Sequence, residues 1–225
     1  MKPIGVLVLA LACAGAAQAQ ALTVGKLEQF TDNRGWNEAG LGPTYQIVVT
    51  ATVAPSGFPT LVFAEQNGVR QPLAGFPSDV YVLWQRFDPA FTGSWRIVAE
   101  RGDAKGAAAL VPAIAKPQQV PLATDVRVKG KGAQPLLAWK VPALAGFDVE
   151  RIRVGVRGEP RVQGRFLSQL YVSGDLPPTA TSFRFPAGVL AKGERYVFQV
   201  MLEDLEGEEL ENRSLTFSEI YAVAR

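Results

Sequence analysis

From Leu22 to Val223 the apolar residues fall in short runs of β-branched and aromatic side chains, broken at short intervals by glycine and proline. No stretch sustains the 3.6-residue repeat of an amphipathic helix, so the pattern predicts an all-β protein. Residues 45–53 are rich in strand formers and end at Pro55-Ser56-Gly57, a turn signal. Residues 61–66 and 69–73 flank Asn67-Gly68, a pair able to supply the positive φ angles of a tight I′ turn, which predicts a hairpin. Residues 80–87 and 94–99 are expected to form a second strand pair joined through Asp88-Pro89 and Thr92-Gly93. Trp84 and Trp95, one in each, are read as core or cross-strand residues.

Beyond Val120 the strands recur at regular spacing. Tyr196, Phe198, Val200 and Leu202 share one face of a strand whose other face carries Gln199 and Glu203. Ile152, Val154 and Val156 alternate in the same way with Arg151, Arg153 and Arg157. If these two strands are neighbours, the arginine row lies beside Gln199 and Glu203 on an outer face, where it is read as a solvated row that also discourages aggregation. Residues 181–185 predict a strand with Phe183 and Phe185 inward, 214–221 a closing strand, and Lys129-Gly130-Lys131-Gly132 a turn.

Two motifs in this half carry a resemblance. Leu136-Leu137-Ala138-Trp139-Lys140-Val141-Pro142 resembles strand B of a fibronectin type III domain, with its buried tryptophan and a proline three residues on. Leu190-Ala191-Lys192-Gly193-Glu194-Arg195-Tyr196 resembles the tyrosine corner of that fold. The resemblance implies a fibronectin type III-like sandwich over 120–225, and no particular activity, because the fold hosts many. The stretch from Leu176 to Ser214 is also similar to the C-terminal portion of bacterial exported proteins of unassigned role.

Composition narrows the function. Lys2, the apolar run 4–14 and Ala17-Gln18-Ala19 form a secretory signal peptide, with cleavage expected after Ala19. Cys13 stands one position too far from Leu9 for a lipoprotein signal, so ordinary cleavage and export to the periplasm or medium are expected. The mature chain then has no cysteine, and each domain must be held by burial alone. Nothing later in the sequence is apolar enough to span a membrane. Removal of Lys2 leaves 22 basic residues against 21 acidic ones, a balance that offers nucleic acid no electrostatic footprint. The stretch 101–119, with its glycines, small residues, Pro112 and Pro117, reads as a change of domain. The expected organisation is two tandem immunoglobulin-like or fibronectin type III-like β-sandwich domains: a signal peptide at 1–19, a first sandwich at 20–106, a linker at 107–119 and a second sandwich at 120–225.

Histidine is absent throughout. That removes a nucleophile–histidine pair, a histidine acid or base and histidine-ligated zinc; the missing cysteines remove thiolate chemistry as well. The leading expectation is a non-catalytic binding or scaffolding protein without cofactor or metal, acting on a protein or glycan partner. Two alternatives are a periplasmic assembly chaperone, which completes a client's sheet with an edge strand, and a carbohydrate-active enzyme using a carboxylate pair. Segment 203–211 holds six carboxylates and no basic residue, and falls where a type III domain has its F–G loop. Its spacing matches no EF-hand, so it reads as a solvated tip available for contact, with Glu206, Glu208 and Glu209 as candidates. Trp36, in the polar run 31–38, is the other candidate contact residue. Asn212-Arg213-Ser214 is formally a glycan acceptor.

Overall fold

The computed structural model describes residues 21–35, 44–57, 59–76, 79–106, 109–111, 116–158 and 169–224. The signal segment, Cys13 and Trp36 lie outside them. The first half of the chain contributes β1 (Thr23–Arg34), β2 (Thr44–Ala54), β3 (Leu61–Gln66), β4 (Val69–Pro72), β5 (Ala74–Phe76), β6 (Val80–Arg86), β7 (Trp95–Arg101), β8 (Ala104–Lys105) and β9 (Ala109–Val111). The second contributes β10 (Thr124–Lys129), β11 (Leu136–Lys140), β12 (Arg151–Gly158), β13 (Gln169–Val172), β14 (Ser182–Arg184), β15 (Arg195–Glu206), β16 (Glu209–Phe217) and β17 (Tyr221–Ala222).

In the first half β1-β2-β6-β5 lie over β4-β3-β7, with β8 and β9 pairing β7. This is the two-sheet order of an immunoglobulin-type sandwich. Trp95, Ile47, Ile97, Val49 and Val62 fill the space between the sheets. The hairpin expected at Asn67-Gly68 forms, with φ of 51° and 77° at the two residues and Gln66 opposite Val69. The second pair does not: β6 belongs to the sheet of β2, and β7 to the sheet of β3. The connection 87–94 carries a 3-10 turn, Pro89–Phe91, capped by Asp88, and crosses from one sheet to the other instead of reversing within one. Residues 109–111, within the expected linker, pair with β7 as β9.

In the second half β10-β11-β14 face β13-β12-β15-β16, the order of a fibronectin type III sandwich. Trp139, Leu137, Phe185, Phe198 and Val154 are buried between the sheets. The Ala191 N–H donates to the Tyr196 hydroxyl oxygen at 2.8 Å, which closes the tyrosine corner. The closing strand begins five residues earlier than the pattern suggests, because Gly207 at φ +67° lets the β15–β16 hairpin turn tightly and both strands run to its tip.

The two cores are separate, but one sheet is not. Thr31 to Arg34 of β1 pair in parallel with Asn212 to Leu215 of β16, so a nine-stranded sheet backs both sandwiches. A register shift between Gly25 and Glu28, with Lys26 at φ +43°, advances the alternation of β1 by one residue. Val24 and Leu27 consequently both pack toward the first core, while Phe30 and Asp32 face the opposite side.

Candidate interaction site

The side of the long sheet that faces away from the cores carries a row of polar side chains. Register places Arg151 opposite Glu203, Glu203 opposite Arg213, Arg213 opposite Asp32, Asp32 opposite Gln46, and Gln46 opposite Arg86. Cross-strand neighbours on one face lie close enough to pair. Glu203 accepts from Arg151 Nε at 2.8 Å and from both Nε and Nη2 of Arg153 at 2.8 and 2.7 Å. Asp32 accepts from Arg34 at 2.8 Å and Arg213 at 3.2 Å, and the Arg213 guanidinium lies 4.6 Å from the Phe30 ring centroid. Glu203 and Asp32 are fully buried.

The arginine row therefore stands beside Glu203 as the alternation requires, and Arg157 donates to Gln199. It is not a solvated face: Gln199 and Met201 are buried too. Sequence alternation marks a face as turned from the core without showing how its side chains cover one another, and here Arg151 and Arg153 close over Glu203. Burial alone would raise the Asp32 carboxyl, but Arg213 and Arg34 outweigh it and hold the group below its ordinary value. Burial likewise lowers Arg151, and the hydrogen bonds and charges of Glu203 and Asp175 reverse that. Each carboxylate accepts from two guanidiniums, an arrangement suited to joining strands.

On the opposite side of the same strands a polar seam meets segment 116–121. Asn33 donates to the Val120 carbonyl at 2.8 Å, Asn212 to that of Lys116 at 2.9 Å, and Ser214 to that of Pro121 at 2.8 Å. The amides of Lys116 and Gln118 donate to Glu211 and Asn212 at 2.7 and 2.9 Å. Thr31 to Arg34, at the start of the polar run, are thus strand and seam. Asn212 is buried with both ends of its amide engaged, so the formal glycan acceptor is closed in the folded protein. Its Nδ2 also donates to Asp204 at 2.6 Å. Burial pushes the Asp204 carboxyl up to about 6; Asn212 offsets part of this, and Glu150, Glu211 and Asp148 add to it.

The acidic segment divides accordingly. Glu203, Asp204 and Glu211 are buried, whereas Glu206, Glu208 and Glu209 stand exposed at the hairpin tip. Among the described residues no three acidic side chains are grouped to hold a metal ion, and no helix is long and apolar enough to cross a membrane.

The two tryptophans of the first sandwich, alike in sequence context, part company. Trp95 is fully buried; Trp84 is 41% exposed on the outward face of β6 and meets Phe76 edge-on at 5.5 Å. Phe76, 47% exposed, also borders an open groove of about 620 Å³ where the two sheets of this sandwich diverge. Leu61, Phe63, Leu73 and Tyr81 are among its lining side chains, with Thr60 and Asp79 as polar members. Sequence reasoning missed this corner. The available signal was the aromatic Phe76 directly after the hairpin.

No protein-family model matches the chain, and no curated protein matches it. Among solved structures it is similar to the chicken CNTN1 FN1–FN3 domains, at 13% identity and a TM-score of 0.34, over 90% of this chain and 68% of that one.

Proposed function

We propose that this is an exported, non-catalytic protein of two tandem β-sandwich domains that binds or scaffolds a protein partner. The observation that carries the reading is the Phe76–Trp84 pair, an aromatic contact held on a strand surface beside an open groove. Large aromatic side chains at accessible, rigidly supported positions supply most of the energy of protein contacts. Arg86, exposed on the same strand two residues on, adds a donor of the kind enriched in such sites. Trp36 and the Glu206-Glu208-Glu209 tip belong to the same proposal as further contacts. The signal segment at 1–19 supports export, and the lack of histidine and mature-chain cysteine supports a role without covalent chemistry.

The test is capture of partners from an envelope fraction by the mature chain, its Trp84→Ala variant and a Glu206/Glu208/Glu209→Gln variant. A partner retained by the wild type and weakened about tenfold or more by Trp84→Ala is expected. Equal capture by all three would exclude both contact regions. Polysaccharide turnover abolished by a single carboxylate substitution would refute the non-catalytic part.

A further inference from the structure

The nine-stranded sheet ends at β5, whose three residues are exposed, and among the described residues no strand pairs with its free edge. The chain reaches it from β4 through Leu73, whose N–H donates to Val62 at 2.8 Å, so β4 stays with the second sheet while β5 joins the first. The groove opens between these diverging edges. Gly75 stands opposite Tyr81, and a Cβ on it would lie 3.3 Å from the Tyr81 ring. The edge strand therefore sends no side chain into the groove at its midpoint, and the buried Tyr81 and Val62 form its floor.

Two features restrict what can fill this place. Unpaired backbone groups along a strand edge are satisfied in register by another extended segment. Among the described residues the groove is lined mainly by apolar side chains; Thr60 is engaged by Arg101 at 2.8 Å, whereas Asp79, held at φ +57°, has no ion-pair partner among them. A carboxylate at the rim of an apolar slot favours a cation next to the group that enters. Its volume lies within the range of about 300–1,000 Å³ usual for binding pockets.

We propose that the β5 edge and its groove bind an extended segment of a partner protein by strand addition, with an apolar side chain entering the groove and an adjacent lysine or arginine meeting Asp79. This rests on the reading of the chain as a binding module and gives the chemistry of its partner.

The experiment is selection of a displayed random-peptide library on the mature protein, followed by binding of the recovered peptides to Gly75→Val, which fills the groove, and to Leu61→Lys, which places a cation on its exposed wall. Thermal melts confirm that both variants fold. Recovery of apolar–basic sequences, weakened about tenfold or more by each variant and by N-methylation of the peptide backbone, is expected. Asp79→Asn should abolish the preference for a basic residue. Recovery of no peptides, or of peptides indifferent to both variants, overturns strand addition at this edge. So does a dimer that Gly75→Val disrupts, since the occupant is then a second copy of the chain. An envelope partner lost on Trp84→Ala but retained by Gly75→Val would leave the binding module standing and remove this inference alone.

Discussion

Removing one carboxylate from the cross-strand row leaves two guanidiniums facing each other where water reaches them poorly. Glu203→Gln is therefore expected to destabilise the protein by about 2–3 kcal/mol, seen as a lower urea midpoint at unchanged slope. A loss below about 0.5 kcal/mol would mean that the pair behaves as a surface ion pair. Asp204 acts in the opposite sense. Its folded value of about 6 lies above the ordinary 3.8, so the folded state takes up a proton first as pH falls. Ionised Asp204 costs stability above its folded value, and that cost disappears as pH drops from about 7 toward about 4. Asp204→Asn should raise the melting temperature near neutral pH and flatten the melting temperature between those limits; an unchanged pH profile would contradict the raised value. The place of the arginines beside Glu203 was legible in the alternation of the two strands; the burial of Glu203 and the role of Asp204 were not. Glu203 and Asp204 sit in one acidic run, and only the pairing of β15 with β12 and β16 sends one to the arginines and the other to Asn212.

At the scale of the element, the Asn67-Gly68 turn was readable, whereas the crossing made by residues 87–94 and the pairing of β1 with β16 were not. Asn67-Gly68 specifies its hairpin within a few residues, and the alternation of β12 and β15 specifies their inward faces. Trp139 and Tyr196 mark the second sandwich in the same local way. The parallel pairing of β1 with β16 joins residues about 180 positions apart through Thr31, Asn33, Asn212 and Ser214, polar side chains of which the two asparagines are disfavoured in strands. Their partner is segment 116–121, which straddles the end of the expected linker 107–119. Asn212→Ala removes the acceptor of the Gln118 amide and the donor to Lys116. Hydrogen exchange at the Gln118 amide should accelerate about tenfold or more in that variant, with the amides of β11 unaffected. Unchanged protection would show that the seam is held by something other than Asn212.

At the scale of the whole molecule, the shared sheet converts two sandwiches into one support. A protein that binds through a sheet corner benefits from a rigid backing, because less ordering is lost on association. The corner at β5 and β6 is on the same nine-stranded sheet that carries the buried row, so its orientation is tied to the second sandwich through β2, β1 and β16. Independent sandwiches on a flexible tether would unfold separately. Each core contains one buried tryptophan, Trp95 in the first and Trp139 in the second, which makes the difference measurable. With Trp36 and Trp84 replaced by phenylalanine, urea unfolding is followed by fluorescence in two variants that retain Trp95 alone or Trp139 alone. Once each curve is referred to its own stability in circular dichroism, coincident transitions are expected. Two resolved transitions, with the circular dichroism splitting to match, would contradict a single support built on the β1–β16 junction.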